Sequence, residues 1–305
     1  MDDKPATGDQ LRDHVHLSSP DRVLFPELGL TKRDLAAHYA ARAGDILRFA
    51  RDRPVSLVRC PDGRSGDCFF QKHHGPSIPE DIDTVEITEK DGDPASYLVM
   101  RSERAVVAAA QVSALELHGW GARMDRIERP DRLVVDLDPG EGVGFGTIRE
   151  SAVEVREVLA EVGLATYALL TGGAGIHVVA PLERRRGWSD VKAAAEGLAR
   201  TLAEAAPDRY TADAAKEKRR GRIFIDWLRN ERGATAIMPY STRAKAGAPV
   251  ATPVSWDELS AVDRSAAYTM TTIGHRLSRL KEDPWLGYEK QRQSITNMLL
   301  DRLRR

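Results

Sequence analysis

The sequence has 305 residues, a length that at roughly 150 residues per domain allows one large domain or two small ones. Its 45 Lys and Arg residues against 46 Asp and Glu give a formal net charge of −1, which excludes a globally basic coat protein but not a local basic patch. Hydrophobic residues make up 42%, enough for a buried core, and the longest apolar run, residues 105–110, is too short to span a bilayer. We therefore expect a soluble, cytoplasmic globular protein.

The chain begins with polar residues and then shows helix and strand patterns. Residues 1–13 contain no apolar segment of a secretory signal, and we predict a flexible lead-in there. Thr31 is placed to cap a helix that runs to about Phe49, and the apolar run 54–59 predicts a strand. The Ala- and Val-rich segment 103–117 has helical spacing and predicts a buried helix.

Two cysteines lie in the loop-rich stretch after the first of these strands. Their small number excludes a fold built on disulfides and is typical of a reducing compartment. Cys60 and Cys68 could form a zinc site with His73 and His74. The wide spacing of the two cysteines is unlike the tight ligand pairs of zinc modules, which argues against that site.

The second half of the chain alternates strands and helices around glycine-rich loops. Residues 132–137 predict a strand, and the loop 140–146 leads into a helix for which Thr147 and Glu150 fit a capping box. This loop fails the Gly-x-Gly-x-x-Gly spacing of a dinucleotide site, although a helix N-terminus can still attract an anion. Further elements are predicted over 165–170, 176–180, 188–206, 222–228 and 235–239, with a mostly helical tail from 256 onward. We expect one compact mixed α/β domain over 14–290 and a C-terminal helix over 291–305.

Three aspartates on two predicted strands form the most informative pattern. Asp136 and Asp138 are separated by one residue on a strand, so both carboxylates point to one face, roughly 6–7 Å apart. Their mutual repulsion is about 2.5 kcal/mol at an effective dielectric of about 20, and a divalent cation relieves it. Asp226 lies among large apolar residues, where a carboxylate without a partner is costly. The alternatives are two exposed turn aspartates and a salt bridge from Asp226 to a nearby arginine.

A second glycine loop could bind an anion. Thr171 is followed by Gly172 and Gly175, and such glycines let backbone amides approach a phosphate closely. His177 follows at the start of a strand, where it could donate to a phosphate oxygen. A tight hairpin with a surface histidine is the alternative interpretation.

Basic residues cluster before and after the strand that carries Asp226. Residues 216–222 hold five basic side chains and one acidic side chain, and Arg243 and Lys245 follow further along the chain. Cations beside a carboxylate and metal centre are what a nucleoside triphosphate requires. A solvated charged face is the usual alternative for such runs.

Taken in order, these motifs resemble one family, the polymerase domain of bacterial ligase D in the archaeo-eukaryotic primase superfamily. The resemblance covers residues 17–284, from Ser-Pro-Asp-Arg-Val-Leu-Phe-Pro through Asp-Leu-Asp-Pro-Gly to Tyr-Ser-Thr-Arg. It implies a primase-polymerase core of largely antiparallel sheets flanked by helices. It also implies a template-directed enzyme of non-homologous end joining that fills gaps and extends primers at DNA breaks, preferring ribonucleotides. The implied cofactors are two divalent metal ions, Mn²⁺ before Mg²⁺, and the implied partners are DNA ends, nucleoside triphosphates, Ku and an ATP-dependent ligase.

The same resemblance implies roles for individual side chains. The metal ligands would be Asp136, Asp138 and Asp226. The nucleotide would be bound by His177, Thr171, Gly172, Gly175, Arg243, Lys245, Arg219 and His118. Arg22 and Lys32 would recognise the DNA 5′-phosphate, and Phe69 and Phe70 would stack on template bases. Two departures from the family pattern are Ala174 and Ala234, which stand where many members carry a basic residue, with Lys245 or Lys72 as possible substitutes.

Two other functions compete with this one. A non-catalytic module that binds DNA ends would need the basic groups but not three aspartates. A metal-dependent phosphohydrolase would need the aspartates but not the basic pair Arg22 and Lys32. The sequence contains no Lys-x-Asp-Gly ligase motif, so we expect no ligase activity in this chain.

Overall fold

The computed structural model describes residues 15–303, so the predicted lead-in and the last two residues of the predicted C-terminal helix lie outside the described residues. The chain divides into two compact units. Unit 1 consists of the described part of Met1–Gly119 together with Ile237–Val250 and Thr269–Ile273. Unit 2 consists of Trp120–Ala236, Ala251–Tyr268 and the described part of Gly274–Arg305.

Unit 1 is built on an antiparallel sheet and one long helix. Its elements are β1 (Val23–Phe25), β2 (Leu30–Thr31), α1 (Lys32–Ala50), β3 (Pro54–Arg59), β4 (Phe69–Gln71), β5 (Asp83–Thr88), β6 (Pro94–Val99), α2 (Glu103–Ala108) and β7 (Ala114–Trp120). Thr31 caps α1 as predicted: its hydroxyl accepts from the Asp34 amide at 3.3 Å, and the Asp34 carboxylate accepts from the Thr31 amide at 2.7 Å. The reciprocal bonds fix the start of the helix.

The predicted helix over 103–117 is wrong in its second half. Helix α2 ends at Ala108, a 3₁₀ helix covers Ala109–Val112, and Ser113 adopts a left-handed conformation with φ of 52°. The chain then enters β7, which pairs with β3 along its length. Pairing with β3 and burial of nearly the whole strand outweigh the helical spacing of an Ala- and Val-rich run.

Unit 2 is a six-stranded sheet with helices on one face. Its elements are β8 (Arg132–Pro139), α3 (Phe145–Glu161), β9 (Tyr167–Leu170), β10 (Ile176–Pro181), α4 (Trp188–Ala205), β11 (Tyr210–Thr211), β12 (Ile223–Asp226), β13 (Thr235–Ile237, which ends in unit 1 and belongs to the sheet of β7), β14 (Thr252–Val254), α5 (Trp256–Ala261), α6 (Ile273–Leu277, which begins in unit 1) and α7 (Asn297–Leu303). The strand order is β11-β12-β8-β10-β9-β14, and every pair except β11-β12 is antiparallel. The mixed α/β class with largely antiparallel sheets is confirmed.

The central strand β8 separates the core of unit 2 from its polar face. Leu133, Val135 and Leu137 are buried in the hydrophobic core formed with α3 and α4. Alternation along a strand therefore turns Asp136 and Asp138 to the other face. The core packing of β8 thus fixes the direction of both carboxylates.

Helix α3 keeps its predicted apolar stripe but not its predicted cap. The helix begins at Phe145 with Gly144 as N-cap and without a side-chain hydrogen bond at the cap. The Thr147 and Glu150 capping box is therefore wrong: the Gly-rich loop ends earlier, and Thr147 already lies in the first turn, where its carbonyl accepts from Ser151 Oγ at 2.8 Å. The tail from 256 is helical only in the short segments α5, α6 and α7.

The two cysteines are bonded to each other. Cys60 and Cys68 form a disulfide, so a zinc site built on them is wrong, and the pair differs from the thiols typical of a reducing compartment.

Across residues 15–303, the helices are too short or too polar for any of them to cross a bilayer.

Candidate active site

Three neighbouring strands of unit 2 bring the predicted carboxylates and His177 together. Asp136 on the central strand β8 lies directly opposite Asp226 on β12 and opposite His177 on β10. Opposite residues in antiparallel strands share a face of the sheet. Oxygens of Asp136, Asp138 and Asp226 accordingly lie within 4.8 Å of one another. We call these three side chains the acidic cluster.

Burial and neighbouring charges give the members of the acidic cluster different proton affinities. Burial acts to raise the pKa of Asp136, but the charges and hydrogen bonds of His177 and Arg229 outweigh it and lower that pKa. Burial, followed by the charge of Asp136, raises the pKa of Asp138 to about 6. Burial also raises the pKa of Asp226. The positive charge around the acidic cluster is therefore too small to keep all three carboxylates readily ionised.

Arg229 is a site residue that the sequence reasoning missed. Its Nε lies 3.0 Å from Asp136 Oδ2 and 3.2 Å from Asp226 Oδ2. Strand β12 ends at Asp226, short of the predicted 228, and a 3₁₀ helix over Trp227–Asn230 turns Arg229 back to the cluster. The salt-bridge alternative for Asp226 and the carboxylate cluster are thus both present. The spacing of three residues between Asp226 and Arg229 was the available signal.

The acidic cluster has the donor atoms that a divalent cation requires. Carboxylate oxygens are the ligands preferred by Mg²⁺ and Mn²⁺. Asp136 Oδ1 is buried and accepts no hydrogen bond from the described residues, although a buried carboxylate oxygen ordinarily has a partner. Together with the close approach of the three carboxylates, this atom indicates that the residues fit such an ion.

The glycine loop packs directly on the strand of the acidic cluster. A Cβ atom on Gly175 would lie only 2.3 Å from the carbonyl oxygen of Leu137, so only glycine fits there. Thr171 Oγ1 donates to the Gly175 carbonyl at 2.9 Å, which closes the loop, and Gly172 adopts a positive φ of 68°. His177 is buried, with Nε2 3.4 Å from Asp136 Oδ2, so the surface-histidine alternative is wrong.

Two other predicted nucleotide contacts gather around a carboxylate in unit 1. His118 Nε2 donates to Glu116 Oε2 at 2.7 Å, and Arg243 Nε lies 3.0 Å from Glu116 Oε1. Glu116 was not predicted as a site residue. The remaining predicted cations lie elsewhere: Lys245 is exposed in unit 1, and Arg219 in unit 2 lies over the Phe224 ring at 3.9 Å from its centroid.

The predicted 5′-phosphate residues also lie in unit 1. Lys32 is buried, its Nζ donates to the Gln111 carbonyl at 2.9 Å, and burial, Arg22 and Arg59 all lower its pKa. The lowered pKa of Lys32 indicates that the three cations lie close together, and Arg59 was missed by the sequence reasoning. Cations held close together against their repulsion are suited to bind an anion.

The predicted template-stacking residues are exposed. Phe69 is 46% exposed and Phe70 is 66% exposed, in contrast to the buried large side chains of the core. The Arg59 guanidinium lies 5.4 Å from the centroid of the Phe69 ring. Exposed aromatic faces beside cations can stack on bases.

Comparison with known proteins decides the family. A profile described as the LigD primase-polymerase domain matches residues 31–285. The chain belongs to the LigD primase-polymerase domain family. The chain is 38% identical over 283 residues to the multifunctional non-homologous end joining protein LigD of Pseudomonas aeruginosa, covering 92% of this chain and 34% of that protein. It is 33% identical over 255 residues to the protein of the same name from Mycolicibacterium smegmatis, covering 83% of this chain and 33% of that protein.

A solved structure supports the same assignment. The polymerase domain of Mycobacterium tuberculosis ligase D in complex with DNA superposes with a TM-score of 0.83 at 29% identity, covering 92% of this chain and 99% of that chain. The chain therefore has the LigD polymerase fold and is a DNA-directed nucleotidyltransferase of the primase-polymerase type. It spans about a third of the length of the curated LigD relatives named above and covers only their polymerase domain.

Proposed function

We propose that this LigD polymerase domain extends primers at the ends of DNA double-strand breaks by template-directed addition of nucleotides, preferring ribonucleotides. The observation that carries the proposal is the acidic cluster, three carboxylates from two strands within 4.8 Å, in a chain of this family. A non-catalytic module that only binds DNA ends would have no use for three converging carboxylates. The names of the relatives place them in non-homologous end joining.

Asp136, Asp138 and Asp226 would hold two divalent ions, Mn²⁺ in preference to Mg²⁺. Bound there, such ions lower the pKa of a primer 3′-hydroxyl and neutralise the charge of departing pyrophosphate. Arg229 balances the carboxylates from the protein side and keeps Asp136 and Asp226 aimed at one point. His177 fixes the orientation of the Asp136 carboxylate.

Each unit, taken by itself, offers the predicted donors for a nucleoside triphosphate. In unit 2 these are His177, Arg219 and the glycine loop with Thr171, Gly172 and Gly175. In unit 1 they are His118, Arg243 and Lys245. Cationic and amide donors of this kind match phosphate oxygens.

DNA ends would be recognised by unit 1. Arg22 and Lys32, with Arg59 beside them, would bind the 5′-phosphate, and Phe69 and Phe70 would stack on template bases. The structural relative is in complex with DNA, which supports a nucleic-acid surface in this fold. Ku and an ATP-dependent ligase would act on the same ends in the bacterial cytoplasm.

A gap-filling assay tests the proposal. A labelled primer on a gapped template is incubated with ribo- or deoxyribonucleotides, with Mn²⁺, Mg²⁺ or chelator, and with or without a 5′-phosphate across the gap. We expect metal-dependent extension that is fastest with ribonucleotides, Mn²⁺ and the 5′-phosphate. DNA binding without extension under every condition would support the end-binding alternative, and phosphate release without a primer would support a phosphohydrolase.

A further inference from the structure

We propose that Glu116 is a positioning residue that holds His118 and Arg243 as one paired cationic contact for the triphosphate of the incoming nucleotide. The proposal deepens the proposed function and rests on it. Glu116 itself would not touch the nucleotide. It would set the direction of two side chains that do.

The geometry around Glu116 uses both carboxylate oxygens. Oε2 accepts from His118 Nε2 at 2.7 Å. Oε1 lies 3.0 Å from Arg243 Nε and accepts from the Ala244 amide at 2.9 Å. Glu116 and His118 are two residues apart on β7 and so share a face of the strand. One carboxylate therefore joins a strand residue to a residue far away in the sequence.

Two hydrogen bonds that do not involve Glu116 anchor the backbone just before Arg243. Ser241 Oγ accepts from the Leu117 amide at 2.8 Å, and Thr242 Oγ1 donates to the Leu115 carbonyl. Both hydrogen bonds are buried. Beyond its hydrogen bond from the Ala244 amide, Glu116 adds the aim of two side chains. A variant that loses only the carboxylate charge should therefore keep the fold.

The charges in this group favour an anionic ligand. Burial acts to raise the pKa of Glu116, but the hydrogen bond from His118 and the charge of Arg243 outweigh it and hold the pKa at about 2. Glu116 is therefore ionised, and the Arg243 guanidinium beside it is the permanent cation of the trio. The trio is only slightly exposed, with side-chain exposures of 9%, 12% and 17% for Glu116, His118 and Arg243. Positive charge held at a protected position interacts strongly with a phosphate.

The contact also reaches a predicted template residue. The ring of Phe70 lies edge-on to the ring of His118, with centroids 5.4 Å apart. Displacement of the imidazole would therefore disturb both the triphosphate contact and the aromatic surface. Glu116 can couple nucleotide affinity to template stacking in this way.

The test is a kinetic comparison of wild-type protein with E116Q and E116D in primer extension. E116Q keeps the size of the side chain, removes its charge and places an amide donor against a donor of His118 or Arg243. We expect the KM for the nucleotide to rise about 10- to 100-fold, the usual effect of losing hydrogen bonds to a charged group, with a much smaller change in kcat. E116D keeps the charge and should restore part of the affinity.

Controls separate positioning from a general loss of structure. E258Q removes a carboxylate that is paired as tightly, with Arg276 at 2.6 Å, and should leave the KM unchanged. Double variants E116Q/H118A and E116Q/R243A should be much less impaired than the product of the single effects, because Glu116 acts through the same two side chains. A wild-type KM in folded E116Q, or effects that multiply, would overturn the proposal. If E116Q does not fold, a wild-type KM in E116D does the same.

A binding measurement keeps this proposal separate from the proposed function. Equilibrium dialysis with radiolabelled GTP and Mn²⁺ gives Kd without any DNA. Weaker GTP binding by E116Q supports the positioning role even if the wild-type protein fails to extend every primer, which would defeat the proposed function alone. Equal Kd values for wild type and E116Q, or no GTP binding by the wild type, would overturn the positioning role.

Discussion

The acidic cluster of unit 2 and the Glu116 trio of unit 1 are electrostatic opposites. In the cluster, the guanidinium of Arg229 lies between the carboxylates of Asp136 and Asp226. In the trio, the carboxylate of Glu116 lies between His118 and Arg243. In the cluster a basic side chain holds two acidic ones in place, and in the trio an acidic side chain holds two basic ones in place.

The difference shows which ligand each region is prepared to bind. The cluster retains an excess of acid, and the resulting raised pKa of Asp138 marks a site that a metal cation would stabilise. In the trio, two basic side chains surround the single carboxylate, which stays ionised. A polymerase needs both kinds of site, because its metal ions are cations and the nucleoside triphosphate is an anion.

The largest expected effect comes from breaking the acidic cluster. We expect D138N to reduce primer extension by at least about a thousandfold, because it removes an oxygen ligand with nearly the same shape. Its melting temperature should be equal or higher, since the substitution relieves repulsion with Asp136. D125N, which alters an exposed aspartate paired with Arg184, should keep full activity. Near-normal extension by D138N would refute the assignment.

The second-largest effect is expected in the pH dependence of stability. It tests the buried hydrogen bond between His38 and Tyr240, in the segment that leads to Arg243. His38 is buried and its Nε2 donates to the Tyr240 carbonyl at 3.0 Å; burial lowers its pKa to about 4. The unfolded chain therefore binds a proton at higher pH than the folded chain, and stability is lost as the pH falls from about 6.5 toward 4. The loss from this residue should approach about 3 kcal/mol at pH 4.

Denaturant unfolding from pH 7 to pH 4 measures that dependence. H38Q keeps a donor for Tyr240 but does not titrate, so its stability should fall less steeply than that of the wild type. H16Q, which removes a histidine that takes no part in this hydrogen bond, should follow the wild-type curve. Parallel curves for wild type and H38Q would show that His38 does not contribute.

The third effect isolates the role of Arg229, the guanidinium beside the acidic cluster. R229Q leaves two buried carboxylates without their guanidinium, and the metal-free protein should lose about 2 kcal/mol of stability. Mn²⁺ should then raise the melting temperature of R229Q more than that of the wild type, because the ion supplies the missing positive charge. R232Q, which breaks an exposed pair with Glu128, should behave as wild type. An equal shift by Mn²⁺ in both proteins would contradict this role of Arg229.

The smallest effect concerns the cations of the 5′-phosphate site. K32A should lower the preference for a 5′-phosphorylated downstream strand by about tenfold, the value of one hydrogen bond between charged groups. Competition binding with phosphorylated and unphosphorylated gaps measures the preference. R33A alters the next residue, whose side chain pairs with Asp21 at the surface, and should leave the preference intact. An unchanged preference in K32A would remove Lys32 from the site.

Local patterns in the sequence predicted the elements that carry the acidic cluster. The apolar run before Asp136 identifies a strand, and alternation places Asp136 and Asp138 on one face. The apolar surroundings of Asp226 indicate a buried carboxylate that needs a partner. The family resemblance, which rested on these residues and on the glycine loop, is confirmed by the match over residues 31–285.

The residues that the sequence reasoning missed depend on a local element that was predicted wrongly or on contacts between distant segments. Glu116 fell within the predicted helix over 103–117 and His118 lay just beyond its end, so the strand face that they share was hidden. Once β7 is a strand, the two side chains lie on one face. Arg59 beside Lys32, and Arg229 beside Asp136, likewise depend on contacts between segments that single-sequence patterns do not specify.

Metal binding tests the central claim most directly. Titration of Mn²⁺ into metal-free protein, followed by electron paramagnetic resonance, reports free and bound ion without DNA or nucleotide. Wild-type protein should bind Mn²⁺, and D226N should bind it at least about tenfold more weakly. Loss of a direct ligand weakens metal binding no less than loss of a residue that only hydrogen-bonds to a ligand. Equal Mn²⁺ binding by wild type and D226N would contradict a metal site built from residues 136, 138 and 226.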